Sequence, residues 1–173
     1  ATVAAAPNAS ARIDARASGV VRSVNKMLGD YETAKVREAA KEGFLPFVKY
    51  MWPKFIEGEQ HRIMGEAFER IASGEKRFLI INMPPRHGKS ELASKYFPAW
   101  FIGKFPDKKI IMSSHTASLA VDFGRAVKNI VAMPQYREVF EGVGLKADSK
   151  AAGRWGTSDG GEYYAIGTGG AIA

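Results

Sequence analysis

From Gly58 to Ser73 the apolar residues Ile63, Met64, Ala67, Phe68 and Ile71 recur with a period of about 3.6 residues, predicting an amphipathic helix that Gly74 closes. The pattern then changes to a short continuous apolar run, Arg77-Phe78-Leu79-Ile80-Ile81-Asn82, which predicts a strand buried on both faces. Beyond Met83-Pro84-Pro85-Arg86-His87-Gly88-Lys89-Ser90, the residues Leu92, Ala93, Tyr96, Phe97 and Trp100 trace a second amphipathic helix, with a kink expected at Pro98. A turn around Pro106-Asp107 leads into another buried-type strand, Lys109 to Ser114. Helical spacing returns from Ser118 to Ala132 through Leu119, Ala120, Phe123, Val127, Ile130 and Val131. Strand, helix, strand, helix predicts an α/β fold with a parallel sheet and right-handed crossovers.

The two ends of the chain read differently. Residues 1–43 form a helical appendage with a frayed start, in which Val20, Val21, Val24 and Leu28 recur at helical spacing. Its small, uncharged opening followed by Arg12, Arg16, Arg22 and Lys26 superficially resembles an organelle transit peptide, but a frayed start followed by helices through about Lys41 is the favoured reading. Residues 44–173 form the main domain. Toward its end seven glycines lie between Gly153 and Gly170, interleaved with Trp155, Tyr163, Tyr164 and Ile166, which predicts short strands and tight turns.

Composition narrows the function classes. A chain of 173 residues is about one domain's worth, and no apolar stretch approaches the roughly 20 residues that span a bilayer. With no cysteine, disulfide scaffolds, thiolate zinc sites and cysteine nucleophiles are excluded. The net charge of +7 suits an acidic partner such as a nucleotide or nucleic acid, and it is spread along the chain. Lys108, Lys109, Lys128 and Arg137 are candidates for a phosphate backbone, although they form no dense stripe.

The strongest chemical signal is Gly88-Lys89-Ser90 between a strand-like run and a helix. Phosphoryl groups need inward-pointing backbone N–H groups, a lysine for the terminal phosphates and a hydroxyl for Mg²⁺ at a helix start. Gly88 allows close backbone approach, Lys89 is the phosphate lysine and Ser90 the metal hydroxyl. The usual G-x-x-x-x-G-K-[ST] pattern opens on glycine, where this chain has Met83, and Pro84 and Pro85 donate no N–H. The loop therefore relies on amides from Arg86 onward, and Arg86 adds a cation.

The run from Arg77 to Leu92 resembles the deviant Walker A segment of the large terminase subunits of tailed bacteriophages, the ATPases that pump DNA into procapsids. Gly58-Glu59-Gln60-His61-Arg62, Phe97-Pro98-Ala99-Trp100 with Gly103, Ser113-Ser114-His115, Trp155-Gly156-Thr157, Gly160-Gly161 and Gly167-Thr168-Gly169-Gly170 resemble the same family, so the likeness covers about residues 45–173. It implies the P-loop ATPase fold, with ATP and Mg²⁺ as cofactors. Lys89 and Arg86 would be catalytic, with Arg86 as the loop arginine. Pro85, Arg86, His87, Gly88, Lys89, Ser90 and Glu91 would contact the nucleotide, and Ser90 would ligate the metal. Gln60 would read the adenine edge, a task its paired donor and acceptor suit. The implied partners are double-stranded DNA, a portal protein and a small terminase subunit, with the ATPase as a homo-oligomeric ring on the procapsid in the host cytoplasm and no membrane.

An ATPase of this kind also needs a strand ending in Asp-Glu, the Asp for Mg²⁺ and the Glu for the attacking water. None is found: Leu119-Ala120-Val121-Asp122 lies inside a helical period and Phe123 follows it. The sequence is therefore expected to be an N-terminal portion of such an ATPase, ending before that strand, and to lack turnover by itself. Two other readings remain, a superfamily 2 helicase-like ATPase and a noncatalytic nucleotide-binding module.

Overall fold

The computed structural model describes residues 9–147, 149 and 151–168, with side chains from Ser18 onward. The first eight residues, the side chains of Arg12 and Arg16, and Gly169-Gly170 lie outside the described residues. The chain divides into two compact units, Ala1–Val36 and Arg37–Ala173.

Helix α1 (Ala9–Glu42) is the long helix expected near the start. Its Val20, Val21, Val24 and Leu28 are all exposed, so their helical spacing does not mark a core face. Within the second unit, α2 (Phe44–Met51) was not anticipated from spacing. It starts where Gly43 is extended, and the Phe44 N–H donates to the Glu69 carboxylate at 2.8 Å, which caps the helix and complements its dipole. Glu69 belongs to α3 (Glu59–Ala72), the helix predicted from the first periodic run. There Met64 and Phe68 are buried as expected, whereas Ile63 is exposed.

The sheet has three strands: β1 (Lys109–Ser114), β2 (Arg154–Gly156) and β3 (Glu162–Gly167). Their order is β1-β3-β2, with β1 parallel and β2 antiparallel to β3. The fold is thus α/β, and the expected all-parallel sheet is corrected to a mixed one. Between β1 and β3 the chain forms α6 (Ala117–Ala132), started by Thr116, whose hydroxyl accepts the Leu119 N–H at 3.3 Å. A short helix α7 (Pro134–Val139) follows, with proline in its first turn, where no N–H is missed.

Lys109–Ser114 forms the strand expected there, but burial on both faces fails for it and for the run 77–82 for one physical reason. The run 77–82 forms no strand, and Phe78 and Ile80 are 91% and 86% exposed. Only its alternate residues Ile81 and Met83 pack against the core. β1 likewise alternates, with Ile110 and Met112 toward the core and Ile111 59% exposed. A run of apolar residues is compatible with burial on both faces but does not enforce it; coverage on the second face must come from another element.

The helix after residues 83–88 also differs from expectation. It runs unbroken through α4 (Lys89–Glu91), a π-helical turn (Leu92–Tyr96) and α5 (Phe97–Lys104). The irregularity lies in the π-helical turn before Pro98. Proline has no N–H for the carbonyl one turn back, so the wider turn sits on its N-terminal side.

The core is rich in aromatic residues and mostly helical. Phe44 meets Phe68 edge-on at 5.1 Å and Phe68 stacks on Phe97 at 4.5 Å, joining α2, α3 and α5. Trp155 stacks on Tyr163 at 5.1 Å across β2 and β3, and its indole N–H donates to the Gly124 carbonyl of α6 at 3.2 Å. Tyr136 of α7 is fully buried, and its hydroxyl donates to the Ala99 carbonyl at 2.8 Å; burial holds its pKa far above the usual tyrosine range. At the rim, Arg37 and Tyr50 both donate to Glu138 at 2.6 Å, and the tyrosine bond first holds that carboxyl below its ordinary range.

Candidate phosphate-binding site

The segment from Met83 to Ser90 follows the run 77–82 and enters α4. Arg86 has φ 65°, the one positive φ at a non-glycine among the described residues, and Gly88 has φ 78°. A left-handed side-chain-bearing residue costs about 1–2 kcal/mol, so the surrounding contacts must over-determine Arg86. Gly88 (left-handed) followed by Lys89 (helical) turns successive N–H groups to one side, the arrangement that receives an anion. The chain then winds into the helix through Leu92 N–H to Gly88 C=O at 2.9 Å.

Around this turn lies a cavity of about 180 Å³ lined by Pro84, Pro85, Arg86, Gly88, Lys89, Ser90 and Glu91. All but one of the expected loop contacts are therefore brought to one concavity. The exception, His87, donates from Nδ1 to the Pro85 carbonyl at 2.8 Å, a bond that tightens the turn. Lys89 Nζ rests 3.5 Å from the Met83 carbonyl and forms no ion pair among the described residues. Its charge is thus not neutralised by a carboxylate. Glu91, by contrast, is engaged with Lys95 one turn on.

Gln60 lines a different cavity, about 290 Å³, with Ile63, Met64, Ala67 and residues 79–83. The two cavities adjoin in the chain, since Met83 lines one and Pro84 the other. Gln60 is the single amide from α3 in a mostly apolar wall. The residue that reaches the loop itself is its neighbour His61: its ring bridges the Gly58 N–H and the His87 carbonyl. The signal for this was present, because His61 occupies the third helical position, from which a side chain reaches back to the residue before the helix.

The residues fit phosphate well and Mg²⁺ in part. Backbone N–H groups, Lys89 and Arg86 supply positive potential, whereas Ser90 supplies one hydroxyl, and no cluster of three His, Asp or Glu suited to a metal occurs among the described residues. Asp122 sits within α6, paired to Arg125 at 3.0 Å, as its helical context implied.

The scattered cations are mostly occupied. Lys108 pairs with Asp107 at 2.9 Å, Lys109 with Glu162 at 3.5 Å, and Lys128 donates to the Ser149 and Ala151 carbonyls. A roomier concavity of about 550 Å³ at the starts of β1 and β3 includes Lys109 and Arg154, but Glu162 holds both, and those two cations keep its carboxyl below the ordinary range. No described helix is long and apolar enough to cross a membrane.

Comparisons with protein families, curated proteins and solved structures found no match for this chain.

Proposed function

We propose that the chain is the ATP-binding part of a P-loop ATPase of the large-terminase kind, whose hydrolysis cycle drives double-stranded DNA into a procapsid. The observation that carries this reading is the turn from Arg86 to Ser90, where two left-handed residues and a lysine with no carboxylate partner among the described residues stand at the start of a helix. The resemblance of residues 45–173 to terminases supplies the rest.

In this reading the amides from Arg86 onward and the Lys89 ammonium bind the β- and γ-phosphates, and Arg86 adds charge at the same concavity. Ser90 gives one oxygen to Mg²⁺, an ion that neutralises phosphate charge when bound. The apolar cavity beside the loop takes the base, with Gln60 at its edge. Double-stranded DNA, a portal protein and a small subunit are the partners proposed with it, the ATPase acting as a ring in the host cytoplasm.

Gln60→Ala is expected to narrow the preference for ATP over GTP by about threefold to tenfold, the worth of one or two neutral hydrogen bonds. Competition of the two nucleotides against a fluorescent ATP analogue measures it. Equal discrimination before and after removes Gln60 from the site.

A noncatalytic nucleotide-binding module is favoured by one observation. The described strands end on Ser114, Gly156 and Gly167, with no carboxylate at a strand end to order Mg²⁺ and water. Accordingly this chain is expected to bind ATP yet release phosphate at the rate of a buffer control. A malachite-green assay with and without Lys89→Ala tests the point. Lysine-dependent release would overturn it and direct attention to Asp122 and Glu91.

A further inference from the structure

His61 is the third residue of α3 and only 8% exposed. The Gly58 N–H points at its Nδ1 from 3.0 Å, so Nδ1 must carry a lone pair. Its Nε2 lies 3.2 Å from the His87 carbonyl oxygen, which can only accept, so Nε2 must carry the proton. Two bonds on opposite sides of the ring therefore require the same neutral tautomer. The Phe55 ring, 5.0 Å away, packs against the imidazole, and a Cβ on Gly88 would come within 3.1 Å of Nε2. Helix α3 and the loop meet at this ring, so a side chain at position 88 would be tight against it as well as strained by the positive φ.

We infer that His61 is a positioning residue for the loop, a role that rests on the phosphate-binding reading above. The peptide joining His87 and Gly88 is trans, so its C=O and N–H point in opposite directions. By holding the His87 carbonyl toward α3, the imidazole holds the Gly88 N–H away from α3, the direction an anion in the loop requires. The ring also accepts the half-buried Gly58 N–H before α3, which ties the loop's geometry to a regular helix. In this role His61 acts through the backbone of residue 87.

Glutamine can keep the donor to the His87 carbonyl, whereas asparagine is too short to reach past the position of Nδ1. Fluorescent ATP-analogue titration of the 173-residue chain should therefore show His61→Ala and His61→Asn weakened by about threefold to tenfold and His61→Gln within about twofold of wild type. Amide hydrogen exchange without nucleotide gives a separate readout: His61→Ala should speed exchange at Gly88 and Lys89 while α6 keeps its protection, and His61→Gln should restore the slow rates. Ring ¹⁵N shifts of the wild type should report an Nε2–H imidazole. If all three variants bind and exchange like wild type, or if glutamine behaves as alanine does, the positioning role is overturned. A wild type that binds no nucleotide but shows the exchange pattern would leave His61 as the loop's anchor and remove the phosphate reading alone.

Discussion

Lys89→Ala is expected to weaken ATP binding by about tenfold to a hundredfold while leaving the fold intact. A hydrogen bond to a charged group contributes about 1.5–3 kcal/mol, and each 1.4 kcal/mol is a factor of ten in affinity. The fold has little stake in the side chain: among the described residues Lys89 Nζ meets the Met83 carbonyl at 3.5 Å and balances no carboxylate. Stability should therefore change by no more than it does for a surface substitution, about 0.5 kcal/mol, and the melting temperature should barely move. This combination separates the site from its scaffold, because a variant that lost affinity by misfolding would lose both. Titration with a fluorescent ATP analogue alongside circular-dichroism melting checks it. Unchanged affinity would mean that the loop between residues 83 and 90 is an ordinary turn into a helix.

The elements supporting that loop were legible to different degrees. α3 and α6 could be read from spacing because each buries one stripe against a contiguous core, Met64 and Phe68 in one and Val127 and Val131 in the other. The short strands after Gly153 were legible from glycines alternating with aromatics. The run 77–82 misled because Phe78-Leu79-Ile80-Ile81 is apolar at every position, and such a run carries no period to show which face is covered. Arg86 in a left-handed conformation was invisible, since nothing in an arginine's chemistry favours it; the turn imposes it. His61 lay between. Its position was that of a capping side chain, yet its second bond depends on where the chain returns 26 residues later, which no local pattern encodes.

Gly161→Ala is expected to destabilise the fold by about 3 kcal/mol, through contacts that the sequence showed only as a glycine pair. A Cβ at this position would lie 2.3 Å from the Pro106 carbonyl oxygen and 2.6 Å from that of Lys108, both main-chain atoms with no rotamer to give. The same crowding holds the start of β3 to the start of β1. Gly161 N–H donates to Pro106 C=O at 3.0 Å, Glu162 N–H to Lys108 C=O at 3.3 Å, and the buried Thr157 hydroxyl accepts from Gly161 N–H at 2.9 Å while donating to Pro106 C=O at 2.6 Å. Moving the strand to admit a methyl group must therefore stretch several bonds together, at about 0.5–1.5 kcal/mol each. For a chain of this length a loss of that size lowers the melting temperature by roughly 6–12 °C. Gly144→Ala is the matched control, because nothing lies within 4 Å of where its Cβ would be. In the reading offered for Gly88-Lys89-Ser90 the sheet only supports the loop, so Gly161→Ala protein kept well below its melting point should still bind the ATP analogue as wild type does. Equal melting of the two glycine variants would show that the hairpin bearing Trp155 and Thr157 is not clamped to β1 through Pro106.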